Sequence, residues 1–178
     1  MNLEEMKYPI GQFKMPDLVT SEILGQYISD IESFPARLTA EVQNLTEEQL
    51  DTPYRPDGWT IRQVVNHCAD SHMNGLIRHK LLLTENKPII KPYIENLWAD
   101  LSDSKSMPIE SALQILLGVH KRWTVLLKSL HKDDLERTYI HPEHVKEFQL
   151  EESIALYAWH CNHHLAHITE LKKRKDWR

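Results

Sequence analysis

Residues Trp159 to Ile168 read WHCNHHLAHI, placing His160, His163, His164 and His167 within eight positions. Wound as a helix at ~100° per residue, all four imidazoles fall in one arc about 100° wide. An arc of that width is what a helix turns toward a core, so the rings point into the protein or into a cavity within it. Two histidines four apart on a helix present their rings side by side at metal-ligand scale. Both His160 with His164 and His163 with His167 meet that spacing. A third ligand has to come from another segment.

Working outward, this helix runs from about Leu150 to Lys173, and its last turn, KKRK, puts cations where the helix dipole favours them. Three other segments have helical period and length. From Thr20 to Leu45, the apolar positions Leu24, Tyr27, Ile31, Phe34, Leu38 and Val42 step by three or four. Pro35 lies inside this run, where it removes one backbone hydrogen bond and is expected to bend the helix near Ile31 to Phe34. Thr46 with Gln49 and Thr60 with Gln63 make two capping boxes; the second opens a helix through GWTIRQVVNHCADSHMNGLIRHKLLLT. Pro108 and Glu110 fit the first turn of a further helix through Leu130. Nothing reads convincingly as a strand. The two long connections, Glu85 to Ser106 and His131 to Gln149, are expected to be functional or disordered loops. Four helices with such crossovers predict an all-α four-helix bundle.

At 178 residues the chain is expected to form one domain, spanning 1–178. Its 21 Lys plus Arg against 26 Asp plus Glu give a net charge of −5, which speaks against a nucleic-acid partner because phosphate binding needs a basic face. No apolar run reaches ~18 residues, so no membrane span or membrane partner is expected. MNLEEMKYPIGQFKMPD lacks the basic start and apolar stretch of a signal peptide, which predicts a cytoplasmic protein. Cys68 and Cys161 are too few for a disulfide framework and read as small buried apolar residues, with a fourth metal ligand as the alternative.

On the second helix His67 shares its side with Asp70, Ser71 and Asn74, an unexpectedly polar inner stripe. Burying such groups without partners costs roughly 1–3 kcal/mol each, so a polar cavity at that level is expected. Asp70 is the carboxylate nearest His67 on that side, available as acid/base or to orient the ring. His72 and His79 lie more than about 100° away and are expected to face solvent or a neighbouring helix. His120 interrupts the apolar face of the third helix as a core histidine or an orienting group. His141 and His144 fall in a loop and are given no role. Trp159, Asn74 and Tyr93 or Trp98 are candidate walls of a pocket.

GWTIRQVVNHCADSH (58–72) together with YAWHCNHHLAHI (157–168) resembles the DinB-like superfamily of metal-binding four-helix bundles. YPIG (8–11), PYRPDGWT (53–60) and HPE (141–143) are similar to its YfiT branch, a group assigned as metal-dependent hydrolases and related to bacillithiol transferases. The resemblance implies an up-down-down-up bundle, a homodimer, and one divalent ion per chain, zinc or nickel, held by His67, His160 and His164. An open three-histidine site leaves the ion's charge uncompensated and favours hydroxide or thiolate. Metal activation of a nucleophile is the expected chemistry, and the resemblance implies hydrolysis of a small-molecule substrate. Transfer of a low-molecular-weight thiol onto an electrophile, as a bacillithiol-type S-transferase, is the alternative, and a non-catalytic metal-binding module is a third. No catalytic or substrate-binding residue is assigned.

Overall fold

The computed structural model describes residues 2–143 and 146–177, so His144 lies outside the described residues. In chain order the elements are α1 (Leu3–Lys7), α2 (Ser21–Val42), α3 (Glu47–Leu50), α4 (Ile61–Thr84), α5 (Glu95–Ala99), α6 (Ser102–Ser106), α7 (Glu110–Lys128), α8 (Lys132–Leu135), strands β1 (Thr138–His141) and β2 (Lys146–Gln149), and α9 (Leu150–Lys175).

Both capping boxes form. Thr60 Oγ1 accepts from the Gln63 N–H, and Gln63 Oε1 accepts from the Thr60 N–H at 2.9 Å. The same Gln63 donates to the carbonyl of Ala99 at 2.8 Å, tying the crossover to the start of α4. Thr46 and Gln49 cap α3 in the same way. Pro35 does not end α2, which continues to Val42. Its missing N–H frees the carbonyl of Ile31 four residues earlier, and His120 Nδ1 on α7 bonds that oxygen at 2.5 Å.

Inter-helix contacts set the directions. α2 runs parallel to α9, with Asn162 donating to Asp30 and Lys172 paired with Glu41 at 2.7 Å. It runs antiparallel to α7: Glu32 pairs with Lys128 near one end, and Gln43 shares a groove with Leu113 and Gln114 near the other. α4 is parallel to α7 (Arg62 to the Met107 carbonyl, His72 to His120) and antiparallel to α9 (His67 to His160, Arg78 to Tyr157). In chain order the four long helices therefore run up, down, down, up, with α2 and α4 across one diagonal and α7 and α9 across the other. Ile31, Phe34, Leu38, Leu116, Ile154 and Ile168 are fully buried between them.

The long connections carry more structure than expected. The first holds α5 and α6, both packed on α4. The second holds α8 and an antiparallel hairpin in which Tyr139 pairs with Phe148 and His141 with Lys146. This corrects the strand-free expectation: TYIH and KEFQ are four residues each, too short for alternation to stand out from the sequence around them. Ile140 also bonds Pro88 and Ile90, clamping the two connections together.

Gly75 is where α4 comes closest to its neighbours. A Cβ there would lie 2.6 Å from the Trp123 ring and 2.7 Å from the Tyr157 ring. Neither ring can withdraw easily, since Trp123 donates to His79 and Tyr157 accepts from Arg78. Gly75→Ala is expected to lower stability by about 1–3 kcal/mol through overpacking, more than the ~1 kcal/mol that alanine adds to a helix. A urea midpoint at or above wild type would show that the ring pair can move aside.

Candidate metal centre

The antiparallel crossing of α4 and α9 brings together the three histidines that the resemblance implies. Ring centroids lie 5.3 Å apart for His67 and His160, 4.8 Å for His67 and His164, and 4.4 Å for His160 and His164. One nitrogen from each ring falls within 4.8 Å of the others, and no Cys, Asp or Glu joins this group among the described residues. His67 and His164 are buried, while His160 is half-buried.

The donor set fits a divalent cation. The Nε2 atoms of His67 and His160 face each other at 3.2 Å, and ligands held tetrahedrally at ~2.0–2.1 Å from an ion lie roughly 3.3 Å apart. The rings are also kept neutral, as ligation requires. Burial pushes the His67 pKa down to about 3, with His163 and His167 adding like-charge repulsion. Burial lowers His160 and His164 well below the ordinary range.

The other histidine pair of α9 does not build a second centre among the described residues. His163 stacks on Trp159 with ring centroids 4.4 Å apart, and its buried Nδ1 has no hydrogen-bond partner among the described residues. His167 stacks on Tyr54 at 3.9 Å and bonds the Lys7 carbonyl through Nε2 at 3.0 Å. Spacing alone left the two pairs equal, and the position of His67 on α4 selects between them.

His72 and His79 do not face solvent. Both are fully buried, His79 between Ser153 and Trp123, and His72 between His120 and His160. Their angular offset from His67 points them toward α7, the neighbouring-helix option. His120 is hydrogen-bonded at both ring nitrogens. Asp70 does not join the three-histidine group, and burial, then the like charge of Asp103, raises its pKa to about 6. The two thiols are buried with pKa values pushed up by desolvation, and Cys161 lies 4.0 Å from His72 Nε2, outside the three-histidine group.

Across Trp59 from the three rings, none of which lines it, opens a cleft of about 850 Å³, lined by Tyr8, Tyr54, Trp59, Gln63, Glu95 and His163 among others. Trp59 joins cleft and centre, its ring 4.6 Å from that of His67. The expected walls Trp159, Asn74, Tyr93 and Trp98 are not among the cleft's lining. Trp159 instead donates to the Gly11 carbonyl and supports His163 from behind, and Tyr93 stacks on Trp98. Trp59 sits in the GWT turn, and a residue outside a helix carries no periodic signal of where it points.

A four-helix bundle with an up-down-down-up course and three facing imidazoles between its second and fourth long helices defines a class of histidine-centred bundle proteins. The DinB superfamily profile matches residues 30–168. A protein of Bacillus cereus strain 03BB102, bearing the provisional name metal-dependent hydrolase, is 51% identical over 175 residues, covering 98% of this chain and 100% of its own. A Bacillus thuringiensis subsp. konkukian relative of the same provisional name matches to the same extent. The solved structure of YfiT from Bacillus subtilis, described as a probable metal-dependent hydrolase with an unusual four-helix bundle topology, superposes with a TM-score of 0.95 at 45% identity, over 98% of this chain and 99% of that one. The chain belongs to the DinB superfamily.

Proposed function

We propose that the protein is a metal-dependent hydrolase of the YfiT type, in which His67, His160 and His164 hold one divalent ion per chain, zinc or nickel. The observation that carries this is the convergence of three neutral imidazoles beside the cleft, with a 3.2 Å Nε2–Nε2 edge between two of them. Three protein ligands leave coordination positions open, unlike structural zinc sites, which close with four. When bound, the ion supplies Lewis acidity that activates a nucleophile.

The chain's own residues shape what reaches that point. Trp59 covers His67 and keeps one side of the centre apolar. Tyr8 and Tyr54 narrow the cleft, while Gln63, Glu95 and His163 offer polar groups to a small-molecule substrate. Glu95 is a new candidate for moving a proton, because it lines the cleft and Asp70 does not.

Thiol S-transfer remains a second activity to test. It is favoured by the absence of any carboxylate in the three-histidine group among the described residues, since a thiol delivers its own proton on activation and needs no acid for an amide leaving group. The relatives' names favour hydrolysis. A non-catalytic module is disfavoured because neither Cys68 nor Cys161 joins the group as a fourth ligand.

The test is turnover of activated esters and amides, beside conjugation of a cysteinyl thiol to a reactive electrophile, each with chelator and after reconstitution with zinc or nickel. Ester or amide turnover abolished by chelator and restored by metal is expected. Metal-dependent conjugation alone would make the protein a transferase, and rates unaffected by chelator would remove the metal from the mechanism. The proposal includes one domain over 1–178, a cytoplasmic location and a homodimer. A monomer mass in sedimentation at micromolar concentration would remove the last.

A further inference from the structure

The nitrogen that each α9 histidine offers to the centre is decided by what its other nitrogen does. A carbonyl oxygen can only accept, which gives direction to every histidine chain that ends on one. The Ile31 carbonyl, freed by Pro35, takes the Nδ1–H of His120 at 2.5 Å. Neutral His120 then has an accepting Nε2, and His72 Nδ1 lies 2.8 Å from it and must donate. His72 Nε2 is left to accept, and His160 Nδ1, at 3.1 Å, donates to it. His160 therefore carries its proton on Nδ1, and its Nε2 is bare, facing His67.

The same logic runs independently from the other end of the site. The Lys7 carbonyl takes the Nε2–H of His167 at 3.0 Å. His167 Nδ1 is left to accept from His164 Nδ1 at 3.4 Å, which leaves His164 Nε2 bare.

We propose that two hydrogen-bond relays, Ile31 carbonyl–His120–His72–His160 and Lys7 carbonyl–His167–His164, lock both α9 rings in the tautomer with Nε2 free for a metal, so that His72, His120 and His167 are positioning residues of the centre. The role in metal binding rests on the proposed function above, whereas the tautomers do not. An imidazole protonated on Nε2 cannot ligate through that atom, and ligand histidines elsewhere have their tautomer fixed by the partner of the second nitrogen. Here the partners are other histidines, and the chains end on backbone. The relay also accounts for His72, His120 and Cys161, which have ligand atoms within 4.8 Å of one another. An ion there would have to break the bonds that His72 and His120 make.

Long-range proton–nitrogen NMR on metal-free wild-type protein reads the tautomers directly. Nδ1-protonated rings with bare Nε2 are expected for His160, His164, His72 and His120, and the reverse for His167. An Nε2-protonated His160 or His164 would overturn the relay that ends on it. Zinc affinity is then compared across variants. His120→Gln keeps a donor for Ile31 and an acceptor for His72 and is expected to bind within a few-fold of wild type, while His120→Leu is expected to bind about 10–100-fold more weakly. Equal affinity of the Leu variant and wild type would overturn the role of His120. If His120→Leu does not fold, His167→Gln against His167→Leu reads the second relay in the same way. A second equivalent of zinc, lost when His120 is changed, would make His72, His120 and Cys161 a metal site and overturn the first relay. Tautomers as stated in a protein that takes up no zinc would sustain the relays and refute the metal centre.

Discussion

His164→Ala is expected to empty the centre while leaving the bundle folded. Zinc sites closed by four ligands bind with about 10–16 kcal/mol, so a single ligand carries roughly 3 kcal/mol, on the order of a hundred-fold in Kd. The variant should lose metal on dialysis that wild type withstands and show no metal-dependent turnover. His163→Ala is the control, because the His163 ring stacks on Trp159 outside the three-histidine group. It should retain the ion. Elemental analysis of both variants beside wild type, with circular dichroism to confirm folding, checks this. Metal retained in His164→Ala, or lost equally in both, would refute the assignment.

A second large effect is expected from pH. His79 and His120 are almost fully buried, and desolvation holds them at about 3 and about 4, far below the 6.5 of an exposed imidazole. In the unfolded chain both take up protons near pH 6.5, while in the folded protein they do not until much lower pH. Between those values the unfolded state binds more protons, so stability is fully present above about pH 6.5 and is lost as pH falls. Each group contributes about 1.4 kcal/mol per pH unit, or roughly 4 kcal/mol for the pair by pH 5. His67 and His163, each lowered to about 3, act in the same direction. Against a typical total of about 5–15 kcal/mol, the metal-free protein should unfold cooperatively in mild acid. Urea midpoints should fall steeply from pH 7 to 5, and a flat profile would show that the buried rings are charged or solvated in the native state.

Much of the architecture was legible because helices carry their own signal. Thr60 and Gln63 announce the start of α4 through a bond made within one turn, and the apolar period survives Pro35 because facing residues remain three or four apart. His67, His160 and His164 could be placed on inward faces for the same reason. The hairpin Thr138–Gln149 escaped notice because two four-residue strands offer too little alternation. Asp70 shares the side of His67 by helical angle, yet no carboxylate joins the three-histidine group among the described residues. Angles about one helix axis say which way a group leaves the helix, and nothing about what meets it there.

The four long helices, their caps, and the stripe of imidazoles on α9 follow from local sequence, since all are products of interactions spanning four residues or fewer. It takes the packed bundle for His120 to reach the carbonyl freed by Pro35, 89 positions away, for His72 to bridge it to His160, and for the N-terminal segment to anchor His167. Those contacts depend on how far each helix slides along its neighbours, a register set by the packing of rings such as Trp123 and Tyr157 against Gly75. Close packing of that kind is a property of the assembled core and is written in no single segment.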